Sequence, residues 1–159
     1  MDGRGICERI SQGAHYADRS VVGEEAHQSL VLCRSALASG SAEAGVRVAC
    51  LARIAMVLDA LPAVRASQPP ASGASALLQQ DRCVAYCELA AAHRRAGDAA
   101  SASRTFRRAA ELAEQQLRAR PGDAALAALL RQTCDAWADV EDALGRPTQA
   151  QRVRRRGAR

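Results

Sequence analysis

Apolar residues recur at steps of three and four residues along most of the chain, which is the spacing of one face of an α-helix. The clearest set predicts the buried face of a helix over residues 42–61: Val46, Cys50, Ile54, Val57 and Leu61. Alternation of apolar and polar residues, which is typical of a half-buried strand, is nearly absent. The pattern therefore predicts an all-α protein.

Glycine, proline and helix-capping residues divide this pattern into separate helices. Helices are predicted over residues 21–38, 42–61, 75–96, 99–120 and 124–144, with a last short one from 147. Residues 63–75 read AVRASQPPASGAS, and their Pro, Ser and Gly content predicts a loop. Residues 1–19 are predicted to form a short helix or a terminal tail, and residues 20–159 one helical domain.

Composition changes this picture in three respects. Apolar residues make up 48% of the 159-residue chain but aromatic residues only 3%, so the predicted core consists mainly of Ala, Leu and Val on closely packed helices. Every basic residue is Arg, which is typical of a GC-rich, bacterial coding bias, and much of the +5 net charge lies in the tail QRVRRRGAR. No apolar segment has the length of a signal peptide or a membrane span, so a soluble cytoplasmic protein with reduced thiols is predicted.

One sharp break in the helical pattern lies inside ELAAAHRRAGDAASASRTFRRAAEL, residues 88–112. Gly97 can supply the left-handed conformation that ends a helix, and Asp98 can cap the helix that follows. Ala90 and Ala102 are small enough to lie where the two helices cross, and Phe106 can fill the wider end. The stretch therefore predicts an antiparallel helical hairpin.

This hairpin resembles the tetratricopeptide repeat (TPR) family, whose pattern has an aromatic residue, Leu and a small residue before the turn, and Ala and Phe after it. The residues that match in order and spacing are Tyr86, Leu89, Ala90, Gly97, Ala102, Phe106 and Ala109. His93 departs from the pattern, because the family usually has Tyr there. The closing proline is delayed to Pro121, so a longer second helix is expected.

A second unit matches less closely, and a third is degenerate. The second unit contains Cys134, Trp137, Ala138, Glu141, Gly145 and Ala150. Its turn follows the first by 48 residues (145 − 97), against about 34 in the standard repeat. The third unit, around Gly40, has lost every family aromatic. The resemblance implies hairpins over about 21–62, 75–120 and 123–156, stacked as a short right-handed α-solenoid; a generic bundle of antiparallel helices is the alternative.

In TPR proteins the first helix of each hairpin lines the concave face that binds the ligand. The resemblance therefore nominates these partner-binding residues: His27, Arg34, Glu88, Arg94, Arg95, Gln132, Asp135, Asp139 and Asp142. The three aspartates share one helix face, so the groove is expected to be basic in the middle and acidic at one end. Such a groove suits a charged, amphipathic peptide or helix. The alternative interpretation is a solvated surface whose charges balance one another.

Other kinds of site have less support. The positions at which some TPR co-chaperones clamp a terminal carboxylate hold a single basic residue here, Arg34. Cys83 and Cys87 lie one helical turn apart, but their spacing to His93 and Cys134 does not bring four zinc ligands together, so neither a metal site nor a disulfide is predicted. No catalytic motif or phosphate-binding loop occurs, so neither an enzymatic activity nor a cofactor is predicted.

The sequence thus predicts a non-catalytic module that binds a peptide or helix of another protein, as a chaperone or an assembly adaptor. The alternative is a regulator that binds nucleic acid through the arginine-rich tail, although that tail lacks interleaved aromatic residues for stacking on bases. Self-association of the helical domain is a third possibility.

Overall fold

The computed structural model of the chain describes residues 24–38, 43–60 and 73–158. The regular elements there are α1 (Glu24–Ala38), α2 (Ala44–Ala60), α3 (Gly73–Arg95), α4 (Ala99–Ala119), α5 (Ala124–Ala143) and α6 (Pro147–Gly157). The described residues contain no strand, and the helices pack against one another, which confirms the all-α prediction. The predictions for residues 1–19 and for most of the 63–75 loop lie outside the described residues.

Helix boundaries agree with the predicted ones to within two residues wherever the boundary is described. The largest of these differences is at α2, which begins at Ala44 and not at residue 42, and the described part of α3 already includes Gly73, two residues before the predicted start. Gly73–Ser75 therefore belong to a helix and not to the predicted loop. Pro147 occupies the first turn of α6, where its missing N–H costs no hydrogen bond.

The chain divides into two compact units, Met1–Glu88 and Leu89–Arg159, and the division falls inside α3. In the first unit α1 packs against α2. Buried residues of α2 begin one turn after its start: Cys50, Leu51, Ile54, Ala55, Val57 and Leu58. The prediction that Val46 joins this face is wrong, because Val46 lies in the first turn of α2 and is 46% exposed.

A polar clasp joins α2 to α3 within the first unit. The Tyr86 hydroxyl donates a 2.6 Å hydrogen bond to Oδ2 of Asp59, and Arg82 Nε donates to Oδ1 of the same carboxylate. Arg82 is largely shielded from solvent, so this ion pair is less screened than one on the open surface. The aromatic position of the first matching unit is therefore held by its hydroxyl, a contact that Phe could not make.

The second unit is built around α5, which packs against both α4 and α6. Its core is rich in small residues, as the composition predicts, and the alanines that are at most 1% exposed are Ala90, Ala102, Ala109, Ala110, Ala113, Ala138 and Ala150. Two aromatic side chains, Phe106 and Trp137, are buried among them. Small residues let the helix backbones approach closely, so few large side chains are needed to fill this core.

The turn between α3 and α4 has the geometry that Gly97 and Asp98 predict. Gly97 has φ of +80°, and two hydrogen bonds close the end of α3: Asp98 N–H to His93 O at 3.0 Å, and Gly97 N–H to Arg94 O at 3.1 Å. This pair of bonds is the Schellman motif. Asp98 Oδ1 then accepts the N–H of Ser101 at 2.9 Å and caps α4, and hydrogen bonds from Ser101 lower the pKa of the Asp98 carboxyl.

The turn between α5 and α6 repeats this geometry. Gly145 has φ of +72°, Arg146 N–H donates to Glu141 O at 2.8 Å, and Gly145 N–H donates to Asp142 O at 2.9 Å. Between these two turns, Asp123 caps the start of α5: its Oδ1 accepts the N–H of Leu126 at 3.0 Å. The caps predicted at Asp98 and Asp123 are therefore confirmed.

Buried positions also repeat at the 48-residue offset of the two turns. Ala90 and Ala138 are both fully buried, as are Ala102 and Ala150. The correspondence fails later in the second helix of each hairpin. Phe106 corresponds to Arg154, which is exposed, and Ala109 corresponds to Gly157. The two hairpins therefore share their turn geometry and two buried alanine positions but differ where the second helix continues.

Candidate protein-binding surfaces

The last turn of α3 carries an exposed pair, Arg94 and Arg95, which we call the α3 basic patch. Neither guanidinium has a hydrogen-bond or ion-pair partner among the described residues. Positive charge at this place is favourable, because the carboxyl end of a helix carries partial negative charge. Beside the patch, His93 Nδ1 lies 3.8 Å from Oδ2 of the capping residue Asp98. The patch therefore presents two guanidinium groups to solvent.

Helix α5 exposes the four polar side chains predicted for the concave face: Gln132, Asp135, Asp139 and Asp142. We call the three aspartates the α5 acidic row. Arg154 on α6 donates from Nη2 to Asp142 Oδ2 at 2.8 Å and to Asp139 Oδ1 at 3.3 Å. These contacts, led by the hydrogen bond to Asp142, raise the pKa of Arg154. Part of the predicted acidic end is therefore neutralised within the chain, and Asp135 is the member of the row without such a partner among the described residues.

The remaining predicted site residues belong to the first unit. Glu88 is half-buried and has an interaction within the chain, so it is not a free carboxylate. His27 and Arg34 lie on α1, and their side chains are outside the described part of the structure. Their role in partner binding stays a prediction. The surface that the structure describes is consequently the one formed by the end of α3 and by α5.

A buried polar network lies on the opposite side of α5 from the acidic row. Glu141 is 2% exposed, and its Oε1 accepts hydrogen bonds from Trp137 Nε1 at 2.8 Å and from the Ser103 hydroxyl of α4. Arg146 Nη1 lies 3.5 Å from its Oε2. A buried carboxylate is costly unless it is paired and hydrogen-bonded, and here it has three donors. The network therefore holds α4 against α5.

The arginine-rich tail is less solvated than the sequence suggests. Arg156 forms a bidentate pair with Glu114 of α4, at 2.5 and 2.7 Å, and its guanidinium lies 5.7 Å from the ring centroid of Trp137. Its pKa is raised, chiefly by the hydrogen bond to Glu114. Arg154 is engaged with the acidic row, which leaves Arg152 and Arg155 as tail arginines without a partner in the described residues. Arg156 is therefore half-buried and paired, whereas Arg152, Arg154 and Arg155 are exposed.

A cleft of 640 Å³ opens beside the buried network, between α4, the end of α5 and the start of α6. Four arginines line it, and we call it the arginine cleft: Arg104, Arg107, Arg146 and Arg152. Sequence reasoning missed this site because its residues come from three segments, and the resemblance directs attention to a different face. The one local signal is that Arg104 and Arg107 are three residues apart, which places them on one side of α4.

None of the described cysteines forms a disulfide: Cys33, Cys50, Cys83, Cys87 and Cys134. Burial raises the pKa of Cys134 to about 11, so this thiol stays protonated and unreactive near neutral pH. Within the described ranges, no group of three or more His, Cys, Asp and Glu side chains is placed to hold a metal ion. Among the described helices, none is both long enough and apolar enough to cross a membrane.

No family model, curated protein or solved structure matches the chain. The resemblance to TPR proteins therefore depends on the matching residues and on the repeated turn geometry. It is used below as part of a proposal about function.

Proposed function

We propose that this chain is a TPR-like helical module that binds a peptide or helix of another protein and performs no chemistry itself. One observation carries the proposal: the turns at Gly97 and Gly145 have the same hydrogen-bonding pattern, and the small residues around them are buried at the same offsets. A repeated helical hairpin is the building unit of solenoid proteins that use their surfaces to bind other proteins. The stacking of these hairpins as a right-handed solenoid is part of the proposal.

The proposed binding surface combines the α3 basic patch with Gln132 and Asp135 of α5. All four side chains are exposed and lie in the same compact unit. A fitting partner is a short amphipathic segment that carries acidic residues toward Arg94 and Arg95 and a basic residue toward Asp135. Charges of this kind speed the encounter and fix the orientation of the partner, and their effect weakens as salt rises.

The proposed role as a chaperone or assembly adaptor in the cytoplasm is an analogy with other proteins of the proposed fold. The fold itself does not specify a partner. Binding of nucleic acid through the tail is less favoured. Arg154 and Arg156 are engaged with carboxylates of the chain, so among the described tail residues Arg152 and Arg155 remain for phosphate contacts.

The proposal is tested by selecting random peptides displayed on phage against the immobilised chain. Enriched peptides are then titrated against Arg94→Glu/Arg95→Glu and against the control Arg118→Glu/Arg155→Glu, which makes the same change in charge at other exposed arginines. The basic-patch variant should bind about tenfold more weakly, or about 1.4 kcal/mol, and the control within about twofold. Failure to enrich any peptide, or equal losses in the two variants, would refute the proposal.

A further inference from the structure

We infer that the arginine cleft is a second binding site, which takes an acidic segment of a protein. The site is separate from the surface proposed above, because it lies on the side of α5 that carries Trp137 and Glu141 and not on the side that carries the acidic row. The inference rests on the proposed function in one respect, namely that the ligand is a protein segment.

Positive charge in the cleft exceeds what the chain itself neutralises. Among the described residues of the lining Glu141 is the one carboxylate, and it is buried and already accepts three donors. Arg104 donates to the Ser101 hydroxyl at 2.9 Å and interacts electrostatically with the Asp98 carboxylate, while Arg107 and Arg152 have no partner among the described residues. The guanidinium groups of Arg107 and Arg152 are therefore left for an external anion.

The shape of the cleft suits several residues of a peptide. Its volume of 640 Å³ lies within the range of about 300–1,000 Å³ that is usual for ligand sites. A planar guanidinium can pair with both oxygens of a carboxylate, so arginines on α4 and α6 could each hold one acidic side chain. The positive end of α6, which has no side-chain cap, adds to the same field.

Nucleic acid fits this cleft less well than an acidic peptide does. Binding of single strands relies on exposed aromatic side chains that stack on the bases. Trp137 is the one aromatic residue that the described part of the lining contains; it is 4% exposed, and its N–H is engaged by Glu141. The observations therefore favour carboxylates spaced along a short peptide.

Trp137 provides a site-specific signal, because it is the only tryptophan of the chain and lies in the wall of the cleft. The experiment is a titration of the full chain with an octaglutamate peptide at low salt. Binding is monitored by the fluorescence of Trp137 and by the anisotropy of a labelled peptide. Arg107→Ala/Arg152→Ala should weaken binding at least about tenfold, whereas Arg118→Ala/Arg155→Ala, which removes equal charge elsewhere, should change it less than about twofold. Circular dichroism checks that the variants are folded.

Each outcome decides the question. A fluorescence change that is lost in the cleft variant and kept in the control supports the site. Equal losses in the two variants indicate unspecific attraction, and binding without any change at Trp137 places the peptide elsewhere; both results overturn the inference. Tighter binding of a random single-stranded DNA, with the same dependence on Arg107 and Arg152, would overturn the choice of a peptide. Octaglutamate held at the α3 basic patch instead would change the anisotropy but not the fluorescence of Trp137, so failure of this site and failure of the proposed function can be told apart.

Discussion

The indole N–H of Trp137 donates a 2.8 Å hydrogen bond to Oε1 of Glu141, one turn further along α5. Both side chains are buried, and the Ser103 hydroxyl of α4 donates to the same oxygen. A buried carboxylate with its own set of donors therefore lies at the contact between α4 and α5, where the predicted pattern of an Ala-rich core would place an apolar residue.

Replacement of Glu141 should distinguish the loss of its charge from the loss of its acceptor oxygens. Glu141→Gln keeps an acceptor for Trp137 and Ser103, so the free energy of unfolding should fall by less than about 1 kcal/mol. Glu141→Ala leaves the buried indole N–H with only its longer, 3.3 Å contact to the Ser103 hydroxyl and creates a cavity, so a loss of about 2–5 kcal/mol is expected. Urea denaturation followed by circular dichroism measures both values. Equal losses in the two variants would show that the hydrogen bonds contribute little.

Gly157 should not accept a side chain. A Cβ at this position would lie 2.7 Å from Cβ of Cys134 and 3.3 Å from Cα of Arg131, and neither atom can move away without a shift of α5. Gly157→Ala should therefore lower the free energy of unfolding by about 1–3 kcal/mol through overpacking. Gly122→Ala is the matched control, because a Cβ there meets nothing within 4 Å, and its effect should stay within about 0.5 kcal/mol. Similar melting temperatures for the two variants would argue against this packing of α6 on α5.

Two further glycines should respond to alanine with opposite signs. Gly97 has φ of +80°, which costs an L-residue about 1–2 kcal/mol, so Gly97→Ala should destabilise the hairpin by that amount. Gly45 lies in α2 with open space around it, and Gly45→Ala should stabilise by about 0.5–1 kcal/mol because alanine loses less backbone entropy in a helix. Thermal unfolding of both variants makes the comparison. A loss at Gly45 or no change at Gly97 would contradict these backbone assignments.

The stability of the fold should fall in alkaline solution partly because of Cys134. Burial raises the pKa of this thiol from its ordinary value of 9.0, which applies to the unfolded chain, to about 11. Between these values the unfolded chain releases a proton that the native state keeps, so the free energy of unfolding decreases as pH rises. The stability advantage of the wild type over Cys134→Ala should shrink by about 2 kcal/mol between pH 8 and pH 11. An advantage that stays constant over this range would mean that the thiol is accessible to water.

The parts of the structure that could be predicted are those that short stretches of sequence determine. The turns and helix caps depend on backbone groups within a few residues of Gly97, Gly145, Asp98 and Asp123. The types of these residues are therefore enough to predict the turns and caps. The all-α class follows in the same way from helical periodicity and the near absence of strand patterns. Val46 shows the limit of such predictions. Periodicity assigns a residue to one face of a helix, but it does not show how much of that face is covered by the helix packed against it.

The candidate sites could be predicted only in part, because they depend on pairings between distant residues. The exposure of Arg94 and Arg95 agrees with the sequence interpretation. The pairing of Arg154 with Asp139 and Asp142 joins two helices, and the pairing of Arg156 with Glu114 spans 42 residues. Neither can be deduced from helical spacing. To predict the arginine cleft, one must know how α4, α5 and α6 are placed relative to one another. The order of residues along a single helix does not contain this information.

The most direct measurement for the central claim is a nuclear magnetic resonance titration of the nitrogen-15-labelled chain with a peptide selected on the wild type. It shows which backbone amides sense the partner, whatever the sequence of the peptide. If the chain is a peptide-binding module of the proposed kind, the largest shifts should occur at Arg94, Arg95, Gln132 and Asp135, and they should weaken as salt increases. Shifts confined to α1 and α2, or small shifts spread evenly over the whole chain, would contradict the proposed binding surface.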